Sequence, residues 1–227
     1  MAEVVLALDV ADGDAARRLL DRLPALRWAK VGPVLFVREG PALVAELRQR
    51  GLHVFLDLKW HDIPNTVAGA VRAAVAEGVA LATVHCLGGA PMLAAAREAA
   101  AARVRLCGVT VLTSHAAPDY GEAVGRDVPG VDAEVERLAR LGIGAGLDGV
   151  VCSPHEVGRL RATLGPAAML VVPGIRRPGE AVGDQQRAGT PAAAVRAGAT
   201  HLVVGRPIHE AADPAAVLDA LLAEAGG

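Results

Sequence analysis

The residues best suited to chemistry lie in one short stretch, where Asp57, Lys59 and Asp62 follow an apolar run at residues 53–56. Strand side chains alternate, so Asp57 and Lys59 point to the same side of the strand that this run predicts. A carboxylate and an ammonium at the mouth of a buried strand are costly to desolvate unless they pair or react. Asp62 adds a second carboxylate just before Pro64, which indicates a helix start. The stretch is therefore either a structural ion pair beside a helix start or a catalytic group of two acids around one lysine.

Lysine usage favours the catalytic interpretation. Lys30 and Lys59 are the two lysines among the 23 Lys and Arg residues of the chain. Each lies near the end of a strand-like run. Arginine cannot release a proton near neutral pH, whereas lysine can when its surroundings tune it. The placement of these two lysines thus indicates a site that donates a proton or fits a compact ammonium between carboxylates.

Composition excludes several function classes. The chain has 227 residues, 52% of them hydrophobic, but only five aromatic residues and a net charge of −2. Scattered arginines and little stacking surface argue against nucleic-acid binding, and no apolar run reaches the ~18 residues of a membrane span. Three cysteines in apolar runs, without Cys-x-x-Cys spacing, predict buried reduced thiols in a cytoplasmic protein rather than a metal site or disulfides.

The elements that must position these residues alternate between strand and helix. Eight β-prone runs are predicted, at residues 4–10, 28–32, 53–59, 81–86, 106–112, 149–152, 169–172 and 201–204. Helical stretches follow them, at residues 13–23, 34–50, 64–77, 91–103, 131–141, from 154 onward, 191–197 and 214–224. This order predicts an α/β fold, a single-domain (β/α)8 TIM barrel spanning residues 1–227. A doubly wound open sheet is the rival, but no Gly-rich turn follows the first strand.

Two connections are longer than a simple turn requires, at residues 113–130 and 173–189. Both follow the carboxyl ends of strands, the face at which such barrels carry their active sites. The last strand ends in Gly205 and Arg206, which offer a backbone N–H and a guanidinium to an anion. Together with Arg176 and Gln185 in the second long loop, they predict a phosphate site.

The chain also resembles a known family, orotidine 5′-phosphate decarboxylase of the bacterial type. The segment 57–66, Asp-Leu-Lys-Trp-His-Asp-Ile-Pro-Asn-Thr, carries the most specific part of the resemblance. Weaker matches lie at residues 8–9, 30–32, 111–114, 173–176, 183–185 and 204–208. They fall in order at six of the eight predicted strand ends, so the resemblance spans nearly the whole chain.

By this resemblance the chain is a carboxy-lyase that converts orotidine 5′-monophosphate to UMP and CO₂ in pyrimidine biosynthesis, without metal or cofactor. The family acts as a homodimer with shared active sites. Lys59 would be the proton donor to C6 and Asp57 would face the departing carboxylate. Lys30 and the partner's Asp62 would complete the charge network.

The resemblance also implies a set of substrate-binding residues. Ribose contacts would come from Asp9, Lys30 and Thr66, with Asp57 close to the reacting carbon. Thr113 would contact the pyrimidine edge. The phosphate would be held by Arg176, Gln185, Gly205 and Arg206.

Two alternatives stay open. A Mg²⁺-dependent keto-hexulose-phosphate decarboxylase or hexulose-phosphate synthase of the same barrel group shares Asp-x-Lys-x-x-Asp, but the continuation at residues 61–66 and Lys30 argue against it. A non-catalytic UMP-binding protein would not require a buried proton donor. His85 and His115 are candidates for the site rim. His61 is expected to pack at the helix entry, and the remaining histidines are expected to be structural or exposed.

Overall fold

The computed structural model describes residues 1–176 and 187–226, and in them eight parallel strands close into one barrel. Each strand pairs with the next, and the last pairs with the first through Glu3 opposite His201. The strands are β1 (Glu3–Ala7), β2 (Trp28–Val31), β3 (His53–Trp60), β4 (Leu81–His85), β5 (Arg105–Val109), β6 (Gly149–Val151), β7 (Met169–Val172) and β8 (His201–Val204). The predicted (β/α)8 barrel is confirmed.

Helices connect the strands on the outside of the barrel. They are α1 (Gly13–Leu20), α2 (Pro33–Gln49), α3 (Pro64–Ala76), α4 (Gly89–Ala100), α5 (Ala117–Val124), α6 (Val131–Gly144), α7 (Val157–Leu164), α8 (Pro191–Ala197), α9 (Arg206–His209) and α10 (Pro214–Gly226). A single 3₁₀ turn, Cys86–Gly88, precedes α4. Within the described residues, no helix is both long and apolar enough to cross a lipid bilayer.

Local sequence signals account for several helix boundaries. The Asp12 carboxylate accepts from the Ala15 N–H at 2.8 Å, and the Asp213 carboxylate accepts from the Ala216 N–H at 3.1 Å. These bonds satisfy backbone donors that a helix start leaves without an intrahelical partner. Helix α2 kinks at Gly40, where φ is 63° and Pro41 follows. Glycine adopts this conformation at little steric cost, so α2 consists of two helical segments that meet at this kink.

Two predicted connections differ from the structure. Residues 113–130 were expected to form a loop, but they contain α5, which buries Tyr120 and ends at Gly125 with φ 68°. The helix predicted from residue 154 instead begins at Val157. The Glu156 carboxylate accepts from the Ser153 N–H at 2.6 Å, so a tight turn forms first. The first difference arises because Tyr120 is buried only in the folded chain, whereas the second arises from a local contact between residues three apart.

The core has two layers. Aliphatic side chains pack between the sheet and the surrounding helices, while a smaller cluster that includes Val5, Phe55, Leu81, Cys107 and Val171 fills the barrel interior. All three cysteines are free and buried, as predicted. The barrel is therefore a packed core, and space for a ligand is left only beyond the ends of the strands.

Trp28 closes the amino-terminal end of the barrel. Its ring lies 4.8 Å from the ring of His53 and 5.2 Å edge-on from that of His201, and the Arg105 guanidinium lies 5.3 Å from its centre. His201 is 4% exposed, and its Nδ1 lies 2.9 Å from the Thr200 hydroxyl. Burial, with a smaller contribution from Arg105, lowers the pKa of His201 to about 4. The ring is therefore neutral in the folded protein at neutral pH.

We expect His201 to make the fold sensitive to acid. The unfolded chain protonates histidine near pH 6.5 and the folded chain only near pH 4, so unfolding takes up a proton between these values. The free energy of unfolding should therefore fall by up to about 3 kcal/mol as the pH drops through this window. Urea titrations at several pH values measure this slope, which His201→Gln should reduce. The exposed His155→Gln is the matched control, and an equal slope in the two variants would contradict the assignment.

Candidate active site

A cavity of about 650 Å³ opens at the carboxyl ends of the strands. The predicted site residues that line it are Asp9, Lys30, Asp57, Lys59, Thr113, Arg176, Gly205 and Arg206. They lie in or directly after six different strands and are far apart in sequence. Parallel strands whose carboxyl ends meet at one rim bring them together.

The charged groups converge on Asp57. The Lys59 Nζ lies 2.9 Å and the Lys30 Nζ 3.6 Å from the same oxygen, Asp57 Oδ2. Lys30 also contacts Asp9 Oδ1 at 3.1 Å. The side chains of Lys30 and Asp57 are 10% and 13% exposed, whereas that of Lys59 is 39% exposed and reaches into the cavity. The result is a chain of alternating charges with an ammonium at its open end.

Opposing effects set the protonation state of Asp57. Burial would raise the pKa of this carboxyl, but the charges of Lys30 and Lys59, together with hydrogen bonds from Lys59 and Thr83, hold the pKa below its ordinary value. Asp57 is therefore ionised at neutral pH. A buried carboxylate between two ammonium groups repels any further anion brought against it and keeps both lysines oriented.

Strand β3 leaves regular geometry where it carries this cluster. Leu56 pairs with Ala82 and Trp60 with Val84, so four steps along β3 oppose two steps along β4. Lys59 has a φ of 51°, which is uncommon for a residue other than glycine. Asp57 and Lys59, two residues apart, contact each other directly within this bulge.

The predicted phosphate residues that the structure describes line the cavity after β7 and β8. Gly205 and Arg206 follow β8, and Arg206 begins the short helix α9. Arg176 donates its backbone N–H to the Gly189 carbonyl at 3.0 Å, and the Gly189 N–H donates to Gly174 at 3.2 Å. Gln185 lies outside the described residues. The two ends of the second long loop are thus joined to each other at Arg176 and Gly189.

Asp62 and Thr66 lie apart from this cavity. Both are exposed in the single chain, and the Asp62 carboxylate accepts from the Ile63 N–H at 2.6 Å. Large apolar side chains are also exposed in α2, just before α3 and after β4: Val34 at 65%, Val37 at 84%, Ile63 at 67% and Leu87 at 39%. Exposed large apolar side chains are typical of a contact surface.

Two histidines stack beside the bulge. The rings of His61 and His85 are 5.2 Å apart and tilted by 20°, and His85 Nδ1 accepts from the Leu87 N–H at 3.3 Å. Burial, followed by the proximity of His61 and Lys59, lowers the pKa of His85 to about 4. His85 is therefore a neutral acceptor that holds the turn after β4. His115 packs against Tyr120, with ring centres 6.2 Å apart.

The sequence interpretation missed several residues at the site. His209 and Glu210 line the cavity beside Arg206, although His209 was expected to be structural or exposed. Arg187 forms an ion pair with the buried Glu156 and donates to the carbonyl of Leu112 at 3.2 Å, next to Thr113. The position of Arg187 near the end of a loop does not indicate in the sequence that it contacts Glu156 or Leu112.

No metal site is evident in the described residues. Across residues 1–176 and 187–226, no group of three or more His, Cys, Asp or Glu side chains is arranged to hold a metal ion.

Comparisons with known proteins agree on one family. Residues 2–221 match the model of the orotidine 5′-phosphate decarboxylase / HUMPS family. The chain is 56% identical over 200 residues to orotidine 5′-phosphate decarboxylase of Anaeromyxobacter sp. (strain K), covering 88% of this chain and 87% of that one. It is 53% identical over 225 residues to the Halorhodospira halophila enzyme of the same name, covering 97% and 94%.

A solved structure gives the same result. The crystal structure of orotidine 5′-phosphate decarboxylase from Lactobacillus acidophilus superposes with a TM-score of 0.89 at 34% identity and covers 100% of both chains. The agreement in fold therefore extends over the whole barrel.

We expect Asp57→Asn to destabilise the fold, because it leaves two ammonium groups facing each other without the shared carboxylate. Loss of one partner from a buried charge cluster costs about 3–5 kcal/mol. Urea unfolding measures this loss. Asp21→Asn removes the exposed pair with Arg50 and should cost less than about 1 kcal/mol. Equal losses in the two variants would show that the Asp57 cluster does not stabilise the barrel.

Proposed function

The chain belongs to the orotidine 5′-phosphate decarboxylase / HUMPS family, and we propose that it decarboxylates orotidine 5′-monophosphate to UMP and CO₂ with Lys59 as the proton donor. This is a carboxy-lyase step of pyrimidine biosynthesis. The observation that carries the proposed mechanism is the contact of 2.9 Å between Lys59 Nζ and Asp57 Oδ2 at the cavity wall.

The reaction breaks one carbon–carbon bond. The bond between C6 and the carboxylate cleaves, CO₂ leaves, and the electron pair stays on C6 in a ring orbital without a conjugated sink. A proton moves from Lys59 Nζ to C6 and completes UMP. No electron-accepting adduct is formed along this route, so the enzyme has to place positive charge where the negative charge develops. The Lys59 ammonium serves as both that charge and the proton source.

Repulsion of the substrate carboxylate contributes less than stabilisation of the carbanion. Two unit charges about 4 Å apart repel by about 4 kcal/mol at an effective dielectric of about 20. Enzymes typically lower barriers by about 8–23 kcal/mol. Repulsion by Asp57 therefore supplies only a fraction of the required lowering of the barrier. This repulsion is relieved when neutral CO₂ leaves. Electrostatic stabilisation by Lys59 and substrate ordering supply the larger part.

The other predicted substrate-binding residues would bind the nucleotide. Asp9, Lys30 and Thr66 contact ribose hydroxyls, and Thr113 contacts the pyrimidine edge. The phosphate is held by Arg176, Gln185, the Gly205 N–H and Arg206. Arg176 and Arg206 line the same cavity as the lysines but follow other strands, β7 and β8, which supports separate positions for the phosphate and the reacting ring. Binding energy from the phosphate can then be used to order the reacting ring.

We further propose a homodimer in which each active site receives Asp62 and Thr66 from the partner subunit. Asp62 is exposed in one chain, and the exposed Val34, Val37 and Ile63 give an apolar surface for association. A symmetric dimer would bury this surface and bring the partner's carboxylate to the alternating charges. The buried free cysteines support a cytoplasmic location for this dimer.

The alternatives have less support. The named relatives at 53–56% identity are decarboxylases of orotidine 5′-phosphate, not magnesium-dependent hexulose-phosphate enzymes. A protein that only bound UMP would not need an ammonium held between carboxylates, because that arrangement is costly to desolvate. The paired lysines and acids therefore favour the decarboxylase.

The proposal is tested by following the loss of orotidylate absorbance with and without EDTA. The unmodified protein should turn over equally in both conditions. Lys59→Ala should lose at least about 10³-fold in kcat, because charge stabilisation and proton transfer are both removed. Lys59→Arg should also be inactive, since arginine keeps the charge but does not release a proton.

The exposed Arg103→Ala is the control and should retain full activity. Sensitivity to EDTA would support the magnesium-dependent rival instead. Retained activity in Lys59→Ala would contradict the role of this residue as proton donor.

Subunit mixing tests the shared site. Equal amounts of inactive Lys59→Ala and Asp62→Ala chains should recover about a quarter of the original activity, since half of the dimers are mixed and one of their two sites is complete. A mixture of Lys59→Ala with Asp57→Ala is the matched control and should recover none, because both residues act within one subunit. Recovery in neither mixture would refute sharing of Asp62 across the interface.

A further inference from the structure

Thr83 contacts both reacting residues without lining the cavity. It lies in β4, is fully buried, and belongs neither to the charged cluster nor to the cavity wall. Its Oγ1 accepts the backbone N–H of Lys59 at 2.9 Å and donates to Asp57 Oδ1 at 3.0 Å. One hydroxyl thus joins the backbone of one residue to the carboxylate of the other.

The bulge in β3 creates the need for this hydroxyl. In a regular parallel ladder the N–H of Lys59 would find an acceptor on the neighbouring strand. Here the register shifts between Leu56 and Trp60, and Thr83 is the one β4 residue opposite the three intervening residues. A buried N–H without a partner is costly, and the Thr83 side chain supplies the acceptor. The bond therefore stabilises the φ of 51° at Lys59.

The same hydroxyl orients the Asp57 carboxylate. Both ammonium groups lie against Oδ2, and Thr83 donates to the other oxygen, Oδ1. With each oxygen occupied, the carboxylate cannot turn about its side-chain bond without losing a contact. The residues on either side of Thr83 in β4, Ala82 and Val84, are apolar and cannot replace its hydroxyl as a donor.

We propose that Thr83 is a positioning residue for the decarboxylation, holding the Lys59 backbone and the Asp57 carboxylate so that the ammonium faces C6. This inference rests on the proposed function. Thr83 touches no substrate atom and acts through the two residues that do. A hydroxyl is required at this position, whereas the methyl group is not.

The test compares three substitutions with one control. Thr83→Val keeps the shape but removes the hydroxyl, and it should lower kcat about 10- to 100-fold, since a lost hydrogen bond to a charged group has an effect of this size. KM should change by less than about 3-fold, because the phosphate contacts are intact. Thr83→Ser keeps the hydroxyl and should restore most of kcat. The acid limb of the kcat–pH profile of Thr83→Val should also move to higher pH, since Asp57 loses a donor that lowers its pKa.

Thr110→Val is the matched control. Thr110 is also a fully buried threonine, and its hydroxyl donates to the Val151 carbonyl at 2.9 Å, away from the charged cluster. It should lose stability like Thr83→Val but keep its kcat. If Thr83→Val does not fold, Thr83→Ala takes its place, with the same loss of kcat expected.

The outcomes separate the two proposals. An inactive unmodified protein would refute the proposed function itself. With an active parent, an unchanged kcat in folded Thr83→Val or Thr83→Ala would overturn the role of Thr83. A Thr83→Ser variant as impaired as Thr83→Val, or an equal loss in Thr110→Val, would likewise overturn it. A loss restored by serine and absent from the control would establish it.

Discussion

The structure of the site depends on one carboxylate oxygen that two ammonium groups share at the carboxyl ends of the barrel strands, where the carboxylate is largely buried. Asp57 Oδ2 lies within 3.6 Å of both Lys30 and Lys59. Each charge alone would be costly at this depth, and the alternation of signs makes all of them tolerable. The same alternation gives the site its chemistry. The Lys59 ammonium faces the cavity, and Asp57 behind it repels a negatively charged group that enters. Stability and reactivity therefore have a common origin here.

The barrel gives up regular geometry to build this arrangement. The register of β3 shifts against β4, Lys59 has a φ of 51°, and its ammonium lies 2.9 Å from the Asp57 carboxylate. Such a conformation costs of order 1–3 kcal/mol and persists only where the surroundings hold it. The contacts around the bulge in β3 include the hydrogen bond from the Lys59 N–H to Thr83 and the stacked rings of His61 and His85.

The reacting groups and the predicted phosphate groups come from different strands around the same cavity. Asp9 follows β1, Lys30 lies in β2 and Asp57 and Lys59 lie in β3, while Arg176 and Arg206 follow β7 and β8. Because the two sets of groups are distinct, the energy of holding a phosphate can order a ring that reacts elsewhere in the cavity. Arg187 joins the two long connections of the barrel. It lies at the end of the second long loop, forms an ion pair with Glu156, and donates to the carbonyl of Leu112, which precedes Thr113.

Much of the protein follows from the sequence alone. Eight aliphatic runs alternating with helical stretches predict the barrel, because a parallel sheet has to be buried on both faces. The rarity of lysine and the motif at residues 57–66 indicate the charged cluster, because charges at the end of an apolar strand require partners or a role. The short helix at Ala117–Val124 could not be foreseen, since its stability depends on burying Tyr120 against the rest of the fold.

Only the tertiary structure decided the contacts between strands. The register shift against β4 selects Thr83 as the partner of Asp57 and Lys59, and closure of the barrel brings His209 and Glu210 to the cavity. The sequence alone determined which residues could react and at which end of the barrel they would lie, because side-chain chemistry and strand alternation are local properties. Which oxygen meets which donor depends on register and closure, and these arise when residues distant in sequence compete for the same buried space.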